Sequence, residues 1–220
     1  MNKESLKKNH FARTLVTLLK KWRDERSFVC GKGHNIVKKG VCVSSKIQIL
    51  GEGNSIALAP ESVLYKSLIK INGLNNKVIV HKGAYLSGVE LYIEDNGCII
   101  EIGSRTFIGN NTHLACTENG SMIKVGDRCM LSSYVQIRTG DSHTILDVDG
   151  NRINPAASVF IGDHCWLGQG CKVLKGVNLG NDSVVSTGAI VTKSFGNNVL
   201  VGGLPAKILK ENINWDEKRL

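Results

Sequence analysis

Ile161-Gly-Asp-His-Cys-Trp166-Leu-Gly-Gln-Gly-Cys171-Lys-Val-Leu-Lys-Gly-Val177-Asn-Leu-Gly-Asn-Asp-Ser183-Val-Val-Ser-Thr-Gly-Ala189-Ile-Val-Thr-Lys193 keeps a beat of six. An aliphatic residue recurs at Ile161, Leu167, Val173, Leu179, Val185 and Val191, with glycine next at Gly162, Gly168 and Gly180. Four places after most of these aliphatics stands a small residue: Cys165, Cys171, Val177, Ser183, Ala189. The same beat runs upstream through Val125, Leu131 and Ile137, and before that through Ile102, Ile108 and Leu114. A helix is a poor reading, because period six with repeated glycine leaves no continuous 3.6-residue stripe. The pattern predicts an all-β solenoid whose coils have three flat sides, each hexad supplying one side and its corner. The aliphatic points inward, the small residue lets the chain bend, and each coil pairs with the next at a spacing of about 4.8 Å.

Composition agrees. Aromatics make up 5% of the 220 residues, whereas glycines number 24 and 42% of the chain is hydrophobic. A core filled with Ile, Val and Leu has little need of aromatic bulk. The net charge of +9 points to an anionic partner, which a nucleotide-bearing cofactor or an acidic polysaccharide would satisfy as well as a nucleic acid. A basic stripe with interleaved aromatics, as nucleic-acid binding needs, is absent; the lysines cluster near the N-terminus and scatter elsewhere. Seven cysteines, odd in number and without a CxxC pair, predict a reducing cytoplasm. No apolar run predicts a secretory signal or a membrane span. Cys129, Cys165 and Cys171 fall on the small inward site and read as buried filler rather than catalytic thiols.

Three segments follow. Residues 1–33 read as a helical cap, with Leu6, Leu15, Leu18, Leu19 and Trp22 roughly on one face. Residues 34–203 read as the solenoid, less regular over 34–78. Residues 204–220 read as a tail that opens with a short helix at Leu204-Pro205-Ala206-Lys207-Ile208-Leu209-Lys210. Insertions enter at one corner: near Asn96–Gly97, near Glu118–Ile123, and most fully in the loop Thr139–Ser158. Stacked insertions along one edge of a rigid scaffold are where function concentrates.

The chemistry-bearing residues gather there. His143 leads into the longest insertion, and an imidazole is the side chain best suited to accept a hydroxyl proton near pH 7. Taken alone, it is more readily a loop histidine bonded to its neighbours. Asp141 offers an acceptor to orient the ring and Ser142 a hydroxyl for an oxyanion. Glu118, on the same corner one coil earlier, would orient the ring or hold a substrate hydroxyl; a solvated corner carboxylate is the other reading. His113 joins Glu118 and Asp141 as a substrate-contacting candidate. Asp147-Val-Asp149-Gly150 lacks the spacing of a calcium loop, and Gly31-Lys-Gly33 that of a phosphate-binding loop.

The run Ile161–Gly168 continuing to Thr192-Lys193, with Val201-Gly-Gly-Leu-Pro205-Ala-Lys207, resembles the bacterial hexapeptide-repeat O-acetyltransferases, in the galactoside and capsular-polysaccharide branch. Asp141-Ser142-His143 followed by Gly150-Asn-Arg152-Ile-Asn154-Pro155 is most similar to the capsule and O-antigen enzymes. The resemblance covers about residues 78–215. It implies a left-handed parallel β-helix, a homotrimer, and acetyl-CoA held between neighbouring solenoids. His143 matches the family's loop histidine, and Trp166 the tryptophan beside the pantetheine arm and thioester. Gly168 and the Gly188–Ala189 backbone would line the pantetheine channel, with Thr192, Lys193 and Lys207 at the nucleotide end; a solvated lysine is the other reading of the last two. The chain departs from the pattern at Leu204, where asparagine is usual, at His164 and at Gln169-Gly170.

The expected activity is direct acetyl transfer from acetyl-CoA to a sugar hydroxyl of a surface polysaccharide or its precursor. The alternative is transfer to an amine of a nucleotide-linked amino sugar, which the same base would serve. A zinc hydrolyase on this solenoid needs three converging imidazoles, two of them close in sequence, and His81, His113, His143 and His164 do not have that spacing, so no metal is expected.

Overall fold

The computed structural model describes residues 27–218. Within them the chain is a left-handed parallel β-helix of about seven turns, and its twenty-four strands, numbered in chain order, build three walls. The first wall stacks β1 (Phe28–Cys30), β4 (Lys46–Leu50), β7 (Leu68–Asn72), β10 (Glu90–Glu94), β13 (His113–Cys116), β16 (Gln136–Arg138), β19 (Lys172–Val173) and β22 (Ile190–Val191). The second stacks β2 (Asn35–Lys38), β5 (Ser55–Leu58), β8 (Lys77–Val80), β11 (Ile99–Ile102), β14 (Met122–Val125), β17 (Val159–Ile161) and β20 (Asn178–Leu179). The third holds β3 (Val41–Val43), β6 (Val63–Tyr65), β9 (Tyr85–Ser87), β12 (Phe107–Ile108), β15 (Met130–Leu131), β18 (Trp166–Leu167), β21 (Val184–Val185), β23 (Val199–Gly203) and β24 (Ala206–Glu211).

Register explains why the beat of six fades upstream. In the last coil Lys172 pairs with Ile190, eighteen residues on. In the early coils Lys46 pairs with Leu68 and Leu68 with Glu90, twenty-two apart, because the walls there are strands of three to five residues. The inward rows nevertheless stay in line. Ile47, Ile69, Leu91, Leu114, Ile137, Val173 and Val191 form one buried column of the first wall. Burying each such side chain contributes about 1.5–3 kcal/mol before entropy is counted. Phe195 is the one aromatic among the buried apolar residues described. Cys129, Cys165 and Cys171 are buried, and desolvation pushes the Cys171 thiol up to about 12.

Polar corner residues are absorbed by the stacking. Buried Asn54 and Asn76 each donate Nδ2 to a carbonyl of the coil above (Gly73 and Asp95) and accept an amide of that coil through Oδ1 (Asn76 and Cys98). Such ladders keep buried amides paired through every turn.

Two expectations about the ends meet different fates. The helix read at residues 4–26 lies outside the described residues. The helix read from Leu204 is corrected: Ala206–Glu211 is a strand, β24, antiparallel to β23. Its local sequence tolerates a helix, but β23 ends the third wall with an open row of backbone N–H and C=O groups. Pairing with β24 satisfies that edge.

Candidate active site

Residues 139–158 leave the corner between the first and second walls, from β16 to β17, and fold into a small hairpin. Leu146 bridges Arg152 in antiparallel fashion. Asp147 closes the tip: its carboxylate accepts the amides of Asp149 (3.0 Å) and Asn151 (2.8 Å) and the side-chain amide of Asn151 (3.1 Å). The Asp147-Val-Asp149-Gly150 stretch is therefore a side-chain-capped turn.

Buried Asn154 ties this hairpin to the segment that carries His143. Its Oδ1 accepts the Ile145 amide at 2.7 Å, and its Nδ2 donates to the His143 carbonyl at 2.8 Å and to Asp141 Oδ2 at 3.0 Å. Lys175 Nζ donates to Asp141 Oδ2 at 2.6 Å and to the Asn154 carbonyl at 3.0 Å. The Asp141 carboxylate thus faces Lys175 and Asn154, and these partners, the ammonium first, hold its pKa below the usual carboxylate range. Among the described residues the exposed His143 imidazole has no hydrogen-bond partner, so its ring edge is free for a substrate.

Below the loop sits Glu118. Arg152 grips it with two parallel bonds, Nη1 to Oε2 at 2.8 Å and Nη2 to Oε1 at 2.6 Å. That guanidinium is the main reason its carboxyl also titrates below the ordinary range. Glu118 and Asp95 occupy a column that earlier coils fill with glycine: Gly31, Gly51 and Gly73 stand in register with them, all at positive φ. Asp95 (φ 76°) and Glu118 (φ 69°) hold that left-handed conformation with a side chain attached, at a cost of about 1–2 kcal/mol each. Carboxylates in a glycine column place charge where the scaffold alone would not. They wall a cavity of about 270 Å³ together with Glu94, Thr117, Ser142, His143, Thr144 and Arg152.

The other sequence candidates spread around the prism. His113 lies on the outer face of the first wall, opposite Glu90 in the register and 3.9 Å from its carboxylate, and burial lowers its pKa. Thr192 and Lys193 follow β22 at the corner that carries the loop; Lys193 Nζ rests 5.7 Å from the Phe195 ring centre. Gly188 and Ala189 turn the chain from the third wall to the first, with Ala189 buried. Trp166 and Gly168 belong to the third wall, and Lys207 to its terminal strand. A methyl on Gly168 would lie 2.6 Å from the Thr187 nitrogen and 2.8 Å from the Val185 oxygen, so the coil above alone demands glycine there. In one chain, then, Ser142, His143 and Glu118 share a corner, while Trp166 lies on the wall across the prism from it.

The hexapeptide repeat of succinyl-transferases matches residues 158–193. A polysialic acid O-acetyltransferase of Neisseria meningitidis is 32% identical over 186 residues, 84% of this chain and 85% of the relative. The chain belongs to the hexapeptide-repeat acetyltransferases. A second polysialic acid O-acetyltransferase, from Escherichia coli O1:K1, is 31% identical over 63% of this chain, a match that spans 44% of that longer protein. Among solved structures, the polysialic acid O-acetyltransferase OatWY superimposes with a TM-score of 0.81 at 30% identity, over 86% of this chain and 89% of that one. The polySia-specific acetyltransferase NeuO gives 0.78 at 30% identity, over 89% and 90%.

The candidate site contains residues that motif reading passes over. Asn154 and Arg152 lay inside a quoted motif with no role assigned, because nothing in the sequence says that a hairpin folds them back onto Asp141 and Glu118. Lys175 lay inside the repeat as an ordinary corner lysine. Asp95 has a usable signal, since aligned coil by coil it replaces a glycine, whereas Glu94 has none. No helix among the described residues is long and apolar enough to cross a membrane, and no group of three His, Cys, Asp or Glu residues gathers among them as a metal site would require.

Proposed function

We propose that this acetyltransferase transfers an acetyl group from acetyl-CoA to a hydroxyl of an acidic capsular polysaccharide, with His143 as general base. The observation that carries the transfer chemistry is the unpartnered imidazole at a cavity walled by Glu94, Asp95, Glu118 and Arg152, whose carboxylates suit sugar hydroxyls. Relatives named for polysialic acid point to an acidic polymer as acceptor, and the net charge of +9 suits one.

In this mechanism His143 takes the proton of the acceptor hydroxyl as its oxygen attacks the thioester carbonyl. The tetrahedral oxyanion is met by the Ser142 hydroxyl or a backbone N–H. Collapse breaks the carbon–sulfur bond, and the imidazolium returns its proton to the departing thiolate. Glu118, Asp141 and His113 belong to the acceptor side, Glu118 through a carboxylate held ionised by Arg152. Trp166, Gly168 and the Gly188–Ala189 turn line the donor arm, and Thr192, Lys193 and Lys207 meet its phosphates. No metal takes part. The enzyme acts in the cytoplasm, where the acyl donor and the polymer precursors are made.

In this reading the site is shared between copies in a homotrimer, the imidazole of one solenoid facing the donor wall of the next; the separation of Trp166 from His143 across the prism supports it. Exposed Ile145, Leu146, Val148 and Ile153 on the hairpin favour burial against such a neighbour. Incubating the purified protein with acetyl-CoA and a panel of acidic and neutral polysaccharides, while following thiol release, tests the acceptor class. Release driven only by acidic polymers is expected, and release with neutral galactosides alone would overturn it. Mixed assemblies of inactive His143→Ala and Trp166→Ala chains should regain activity if the site is shared.

A further inference from the structure

Beyond β24 the chain turns back along the corner between the second and third walls. Ile213 exchanges two bonds with Asn198: its amide donates to the Asn198 carbonyl at 3.0 Å, and its carbonyl accepts Asn198 Nδ2 at 3.1 Å. Two residues on, Trp215 is held three ways. Its Nε1 donates to the His164 carbonyl at 2.7 Å, its ring stacks on the His164 imidazole (centroids 4.5 Å apart, planes at 11°), and it tilts at 41° against Trp166, 6.0 Å away. His164 is itself pinned through Nδ1 to Asp182 at 2.8 Å. His164 is a departure from the family pattern, and stacking under a terminal indole gives it a purpose.

We propose that Trp215 is a donor-binding residue: with Trp166 it forms a two-indole apolar step on the third wall that receives the pantetheine arm of acetyl-CoA. The inference rests on the reading of Trp166 as a donor-side residue. Trp166 is 38% exposed and Trp215 is half-buried, so each keeps ring surface for a ligand. The row in register along this wall is Met130, Trp166, Val184 and Leu200; Val184 is buried, and Met130 beside Trp166 extends the apolar surface that a flexible, uncharged chain would meet. Lys207 and Lys210 on β24 stand at the same wall, as phosphate groups at the end of that chain require. The carboxylates and hydroxyls that would grip a sugar are gathered at the other corner, so the indole pair fits the donor better than the acceptor. An indole fixed by its own N–H bond and by stacking loses little freedom when a ligand arrives.

The test measures CoA binding by calorimetry, and KM for donor and acceptor separately, in Trp215→Ala, Trp215→Phe and Trp166→Ala. Trp215→Ala should weaken CoA binding about ten-fold, with acceptor KM and the rate at saturating donor within about two-fold of the parent; Trp215→Phe should restore most of the affinity. Unchanged CoA affinity in Trp215→Ala overturns the proposal. If Trp166→Ala alone weakens binding, the Trp166 reading stands and the Trp215 inference falls; if Trp215→Ala alone weakens it, the Trp166 reading falls and the two-indole step falls with it. A rise in acceptor KM with CoA affinity unchanged also overturns it and assigns the indoles to the saccharide. In the unaltered protein, desulfo-CoA, which has no thiol to consume the reagent, should shield Trp215 from oxidation by N-bromosuccinimide more than it shields Trp22, mapped by peptide mass spectrometry; equal oxidation of Trp215 with and without desulfo-CoA counts against the proposal.

Discussion

Arg152 and Glu118 meet as a two-pronged ion pair, at 2.8 and 2.6 Å, that clips the hairpin of one coil to the corner of the coil beneath. The pair fixes where the roof of the cavity sits above its floor, and His143 is part of that roof. Both side chains keep contact with water, 38% and 28% exposed, so the pair adds little to global stability. Its effect belongs to geometry.

Arg152→Gln should therefore lower kcat/KM about ten-fold while leaving the thermal midpoint almost unmoved. Glu118→Gln should lose at least as much, because it also alters an acceptor-side carboxylate, and the double variant should lose less than the two losses combined, because both substitutions break the shared pair. Steady-state kinetics beside thermal melts checks this; additive losses would mean that the two residues act separately.

Asn154→Ala should be more damaging. It strips the Ile145 amide and the His143 carbonyl of their partners inside the loop, a loss of about 1–3 kcal/mol. The prediction is a fall in kcat with CoA affinity retained, and new protease cleavage confined to residues 139–158. Cleavage elsewhere would mean that the solenoid itself depends on Asn154.

Reading the residues reached the solenoid because a period of six leaves its mark on every coil of eighteen, and the inward column Ile137, Val173, Val191 is the same column that closes the fold. The reading weakened upstream, where coils of twenty-two residues carry longer strands and no fixed hexad. It located the corner that carries the long loop, since insertions there are visible as breaks in the beat. It could not see that Asp141 turns to Lys175 and Asn154, because those contacts span 34 and 13 residues and depend on how a hairpin folds back. The terminal strand β24 escaped for a related reason: helix and strand were both open to Ala206–Glu211 locally, and the exposed edge of β23 decided between them.

Acid should loosen the loop before the solenoid. Glu118 and Asp141 both titrate below the ordinary carboxylate range, held there mainly by Arg152 and Lys175. A carboxylate depressed on folding stabilises the native state fully above its unfolded pKa of about 4, and that contribution fades as pH falls through the lower folded value. Proteolytic nicking within 139–158 should thus rise only below about pH 4. In Glu118→Gln/Asp141→Asn the rise should flatten, the loop being looser at every pH; an unchanged acid profile would assign it to other groups.

Gly168→Ala separates packing from ligand contact. An added methyl must displace backbone of the next coil at Thr187 and Val185. Overpacking of this kind costs about 1–3 kcal/mol, read as a lower urea midpoint. A variant as stable as the parent but weak in CoA binding would mean that the glycine is there for the donor alone.

The most direct measurement is the single-turnover rate of acetyl transfer by His143→Ala, alongside its affinity for CoA. Loss of a general base predicts a rate lower by about 10² to 10⁴ with CoA bound as tightly as before. Transfer at the parental rate would contradict the account.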